Sequence, residues 1–169
     1  SFYKSYNNYP FSILDSISLA NLGGDFGVVG NEDISSISKG NSYGVELLAQ
    51  QKMSSSVYGI LSATYYRSRF EDKNEQLISS SWDNKFILNM TAGKKFKNNI
   101  ELGFKYRYSG GAPYTPIDII NSSNKGIWDI NQRGVLDYNL LNTQRLNGAH
   151  ILDIRIDKKW FFKSWSLNA

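Results

Sequence analysis

The sequence predicts an all-β fold, a segment of an antiparallel transmembrane β-barrel, from three observations. Its strands run to about twice the ~5 to 6 residues usual in soluble sheets, each has one face uncharged through its middle, and the connections alternate short and long. The register is plainest from Phe86 to Tyr108. Phe86, Leu88, Met90 and Ala92 share a face that Ile100, Leu102, Phe104 and Tyr106 continue after the turn, while Asn89, Thr91, Glu101, Lys105 and Arg107 point the other way.

Five complete strands are expected at 41–53, 57–69, 82–96, 100–108 and 148–160, with parts of two more at 1–8 and 165–169. In the first, Tyr43, Val45, Leu47 and Ala49 oppose Glu46 and Gln50. In the second, Val57, Leu61, Ala63 and Tyr65 oppose Ser62, Thr64 and Ser68. In the last, Leu152, Ile154 and Ile156 oppose Asp153, Arg155 and Asp157. Charges on the apolar face, Arg67, Lys94 and Lys158, come only near strand ends, where a bilayer penalises them least. A half-buried soluble sheet shows the same alternation, so a soluble β-sandwich stays open as the alternative.

The connections Ser54-Ser55-Ser56, Lys97-Asn98-Asn99 and 161–164 are short, whereas 9–40, 70–81 and 109–147 are long. Antiparallel strands put every second connection on the same side, and outer-membrane barrels have short periplasmic turns and longer extracellular loops. The short turns are therefore expected to face the periplasm. Trp82, Tyr106, Tyr108, Trp160, Phe161, Phe162 and Trp165 gather at strand ends, where an aromatic girdle belongs.

Composition agrees with strands: aromatic residues are 14% of the chain, against only three prolines. The net charge of +4 is spread among acids, so no polybasic stripe marks a nucleic-acid partner. Without cysteine, disulfides and thiolate metal sites are excluded. A closed transmembrane barrel needs at least eight strands, so residues 1–169 are expected to be one partial barrel domain of a longer polypeptide.

Two segments carry a family likeness. The run Tyr108-Ser109-Gly110-Gly111-Ala112-Pro113-Tyr114-Thr115-Pro116-Ile117-Asp118 follows one strand, and the run from Leu141 through Arg145, Gly148 and Asp153 to Trp160 leads into the next. Together with the strand order they resemble the C-terminal barrel region of TonB-dependent outer-membrane receptors of Bacteroidetes-type bacteria. The resemblance implies a 22-stranded barrel, an N-terminal plug and a peptide that engages TonB, with the plug and the final strands outside this chain. It implies uptake of a scarce nutrient or siderophore-like substrate across the outer membrane, with outer-membrane lipid, the plug and the TonB complex as partners. A passive porin or adhesin barrel is the alternative within the same membrane.

Lumen-facing charges are the first functional candidates: Glu46, Glu101, Lys105, Arg107, Asp153, Arg155 and Asp157. Arg107 is expected to pair with Asp153, and Glu101 with Lys159, along the wall. Substrate contact is expected from the long loops, where Tyr114, Trp128, Asp129, Arg133, Tyr138 and Arg145 mix aromatic rings with charge. Gly110-Gly111 with Pro113 and Pro116 sets a turn at the rim.

Other patterns carry little. His150 is the only histidine, which leaves no basis for a histidine metal cluster or a Ser-His-Asp triad. Asp25, Glu32 and Asp33 lack the spacing of a calcium loop. The glycines from Gly24 to Gly30 have no strand-to-helix context for nucleotide binding. No catalytic constellation is legible, so the chain is not expected to be an enzyme or to hold a cofactor.

Overall fold

The computed structural model describes residues 1–22, 32–54 and 56–168. The glycine run at 24–30, Asp25, Ser55 of the first short turn and the terminal Ala169 lie outside the described residues. Eleven strands follow in order: β1 (Phe2–Ser12), β2 (Ile17–Ser18), β3 (Ile34–Ser54), β4 (Val57–Glu71), β5 (Leu77–Ser79), β6 (Phe86–Phe96), β7 (Ile100–Ser109), β8 (Pro113–Tyr114), β9 (Gln144–Arg145), β10 (Ala149–Phe161) and β11 (Ser166–Asn168). Three short helices join them: α1 (Leu19–Leu22), α2 (Ile119–Ser122) and α3 (Lys125–Asn131).

Nine strands form one sheet in the order β11-β10-β7-β6-β4-β3-β1-β2, with β5 on β4, and β8 and β9 form a separate ladder. Each long strand lies beside a sequence neighbour among the long strands, as short-range connections dictate. The chain is mostly antiparallel sheet, and no closed barrel is found among the described residues.

The structure moves several expected boundaries. β1 runs on to Ser12 and β3 begins at Ile34, so the connection expected at 9–40 is largely strand at both its ends. Pro10, which has no N–H to give a ladder, falls where the β1–β3 register shifts, a position that tolerates proline. β6 starts at Phe86 and leaves Trp82 in the preceding turn. The 109–147 connection is not structureless: it holds β8, α2, α3 and β9, with Asp118 and Asn124 capping the two helices through their side chains.

The chain divides into two compact units. The first comprises Ser1–Gly44, Tyr66–Asn84 and Gly111–Asn147. It contains every buried apolar side chain of the described residues, Ile17, Ala20, Phe70, Pro113 and Leu141. Phe70 centres an aromatic cluster, with ring centroids 5.2 Å from Tyr6, 4.7 Å from Tyr9 and 6.4 Å from Trp82.

The second unit comprises Val45–Tyr65, Lys85–Gly110 and Gly148–Ala169. Its register is continuous across four strands: Leu61 opposes Met90, Met90 opposes Tyr106, and Tyr106 opposes Leu152. The β6–β7 turn is closed by Asn98 and Asn99 at φ of 67° and 60°, the left-handed region that asparagine enters more readily than most residues. Among the described residues of this unit no apolar side chain is buried.

Gly111 shows how tightly the first unit is built, because a Cβ there would stand 1.6 Å from the Leu146 carbonyl oxygen. That backbone atom cannot swing aside as a side chain would. Gly111→Ala is expected to part β8 from β9, seen as faster proteolysis within 111–147 while the amide-exchange protection of β6 and β7 is unchanged.

Candidate functional site

In the first unit the connections converge on one carboxylate. Asp83 is fully buried, its Oδ2 standing 3.2 Å from Arg67 Nε and 2.8 Å from Arg145 Nη2, and its Oδ1 accepts the Ser68 N–H at 2.9 Å. Arg67 continues the apolar parity of β4 past Tyr65, so its charge is matched by an acid brought from the β5–β6 connection. Arg145 donates further to Ser79 Oγ and to the carbonyls of Gly111 and Asp83.

A second clamp comes from Asn142, whose amide donates to the carbonyls of Asn21 at 2.8 Å and Ser79 at 2.9 Å. Asn21 in turn donates to the carbonyls of Phe70 and Glu71. Two side chains of the 111–147 segment thus satisfy backbone groups that burial would otherwise leave orphaned. Asp83, Asn142 and Asn21 were missed by sequence reasoning. The only signal for Asp83 was that Arg67 stood on an apolar face with no acid within the expected strand 57–69.

The structure separates the loop candidates. Arg145 is bound into the Asp83 cluster and serves there as a positioning residue. Tyr114 is exposed on the β8–β9 ladder, and Trp128 and Asp129 are exposed on α3. Tyr138 is half-buried, and burial, then the negative charge of Asp15, pushes its phenol up, while Arg133 pulls it down. Asp15 is itself pushed up by partial burial and by Glu32. Around these lie large exposed apolar side chains that were not singled out from sequence, Ile119, Ile120, Ile130 and Leu140.

In the second unit, six of the predicted lumen residues share one face. Asp153 opposes Lys105, Asp157 opposes Glu101, Arg155 opposes Gly103 and Arg107 opposes Ile151. The expected Arg107–Asp153 and Glu101–Lys159 pairs do not form, because the β7–β10 register sets each of those residues opposite another neighbour. Arg107 donates to Asn89 at 3.2 Å. Glu101 accepts the Tyr58 hydroxyl at 2.6 Å and stands 3.6 Å from Arg155 and 3.9 Å from Lys95, and Arg155 reaches Asp157 at 2.7 Å. Two carboxylates face each other across the ladder, a destabilising arrangement alone, with two cations beside them. Glu46 is exposed on β3, opposite in parity to Val45 and Leu47.

No family model, curated protein or solved structure matches the chain.

What the residues can do chemically follows from their surroundings alone. Among the described residues, no group of three or more His, Cys, Asp or Glu is placed to hold a metal ion. His150 lies between two rings of its own face, its Nδ1 2.8 Å from the Tyr106 hydroxyl and its ring 4.8 Å from that of Tyr108. The arrangement offers hydrogen bonding, ion pairing and exposed apolar contact, which is the equipment of binding.

Removing the central carboxylate tests the first cluster. Asp83→Ala strands two guanidiniums that retain some solvent access, so a loss of about 3 kcal/mol is expected, read as a lower denaturant midpoint. A pH effect is expected at α2. The N–H and side-chain amide of Asn121 hold the Asp118 carboxyl below its ordinary value of 3.8. Its contribution is therefore present above that value and lost as pH falls through the lowered one. The amide-exchange protection factors of Asn121–Ser123 should fall in acid, and Asp118→Asn should remove that pH dependence.

Proposed function

We propose that this chain is part of the barrel wall of a TonB-dependent outer-membrane receptor, whose intact form takes up a scarce nutrient. The observation that carries the proposal is the apolar face of the second unit. Rows such as Gly59-Ala92-Phe104-Ile154 and Leu61-Met90-Tyr106-Leu152 run across four strands in register. Ile154 and Ile156 are 66% and 69% exposed, and Val45, Leu47 and Phe86 are exposed with them. Water disfavours so broad an apolar surface, and a sandwich needs a second sheet packed over such a face. Lipid satisfies it at no packing cost.

Strand length supports the same reading, since β3, β4, β6, β7 and β10 have from 10 to 21 residues, and a tilted strand needs about 9 to 11 to cross a bilayer. No described helix is long and apolar enough to cross one, which says nothing of a barrel. The receptor assignment over a passive porin or adhesin rests on the resemblance of the runs 108–118 and 141–160. Under it, the outer loops capture the substrate, the charged face of β7 and β10 lines the lumen beside the plug, and TonB acts on the plug to open a path.

Depth-dependent substitution tests the membrane part. Phe104→Arg, in the middle of the apolar face, is expected to cost about 2 to 4 kcal/mol of folding into vesicles, against about 0 to 1 for Val57→Arg at the strand end. Equal costs at both sites would remove lipid from that face. For the receptor part, the intact polypeptide should be captured by the periplasmic domain of TonB, and its substrate uptake should vanish in cells lacking TonB. Uptake that persists there would identify a passive pore.

A further inference from the structure

Within the second unit the apolar face carries its charge at one end and with one sign. In the registered rows, the even-numbered residues of β6, β7 and β10 and the odd-numbered residues of β4 from Val57 to Tyr65 include only two of Lys, Arg, Asp or Glu, namely Lys94 and Lys158. Both lie near the short turns. Lys94 opposes Val57 and Leu102, while Lys158 opposes Ile100, the first residue after the β6–β7 turn. The carboxylates at this level, Glu101 and Asp157, have the opposite parity and their own cations, Lys95 and Arg155. The carboxylates of this stretch of sheet are thus confined to the other face, with cations beside them.

Lys94 and Lys158 flank β7, two strand spacings apart across the sheet and offset by two residues along it, roughly 12 Å in all, a gap that two four-carbon stems can narrow. The floor between them is Ile100 and Leu102, both partly exposed. Lys94 Nζ lies 5.2 Å from the Phe96 ring centroid, Lys158 Nζ donates to the Asn98 carbonyl, and Trp160 follows Lys158 on the same parity. Two ammonium groups on either side of an apolar floor, bordered by aromatic rings, suit a phosphate carried on acyl chains. Aromatic rings of this kind settle at headgroup depth, and long lysine stems lie along apolar surface with the charge at its edge.

We infer that Lys94 and Lys158 form a binding site for the phosphate of an anionic phospholipid in the leaflet on the short-turn side. The inference rests on the proposed membrane reading and adds a specific lipid contact to it. The shared chemistry is a phosphate monoanion, and the apolar floor commits the site to a lipid over a soluble phosphate.

The test uses the intact receptor in vesicles of phosphatidylcholine with and without phosphatidylglycerol, with bound lipid counted by native mass spectrometry. The parent protein is expected to retain phosphatidylglycerol preferentially, and the preference to fall with salt. Lys94→Gln with Lys158→Gln should lower it by about fivefold per lysine, while Lys125→Gln on α3 leaves it unchanged. A double variant with the parent's preference overturns the site. So does displacement of the lipid by inorganic phosphate beyond that by chloride of equal ionic strength, which would make soluble phosphate the ligand. Protein that inserts normally yet shows no lipid preference refutes the inference alone, whereas protein that inserts into neither vesicle refutes the membrane reading with it.

Discussion

Parity along the antiparallel ladder is the constraint on which this chain depends. Once Met90 is opposite Leu61 and Tyr106, every residue of β4, β6, β7 and β10 has its face assigned, and a slip of one position would exchange the two faces. The cost of such a slip is large here because the faces differ so much: Phe104 and Ile154 would trade places with Lys105 and Asp153. The short turns hold the register, with Asn98 and Asn99 accepting the positive φ that so brief a reversal requires. Under the proposed membrane reading, parity also accounts for the exposure of the apolar side chains described in the second unit, which gather on one face of the sheet.

The first unit is held by different means. Among the described residues its buried apolar side chains are five, few for ordering a connection as long as 111–147, and polar groups that do two things each add to them. Arg145 neutralises Asp83 and satisfies the Gly111 carbonyl; Asn142 satisfies carbonyls of Asn21 and Ser79. Such groups are directional, so they select one arrangement where apolar contact would accept several. They leave Trp128, Asp129, Tyr114, Ile119, Ile120 and Ile130 exposed on an anchored base. A recognition loop benefits from that division, because a fixed base lowers the ordering cost of binding.

Charge is distributed by the same logic. Near the short turns the carboxylates Glu101 and Asp157 stand directly opposite each other, tolerable only because Tyr58, Lys95 and Arg155 converge on them. Their partners come from three strands, which makes the cluster a fastener across the sheet. On the other face Lys94 and Lys158 have no carboxylate within the registered rows.

The sequence by itself determined what repeats: five long strands, their two faces, the alternation of short and long connections, and six of the seven charged residues that share the polar face. Those follow from a period of two, which any stretch of chain displays without help from the rest. The β7–β10 register lay beyond it, because the length of a 39-residue connection says nothing of which residue meets which, and so the expected Arg107 and Glu101 partners were displaced to Asn89 and to Tyr58, Lys95 and Arg155. The role of Arg145 lay beyond it too. A guanidinium in a polar loop looks free to meet a substrate, and only the tertiary fold brings to it a buried acid from 62 residues away. Local pattern sets which solvent a residue prefers, whereas pairing between distant side chains is decided by where the folded backbone places them.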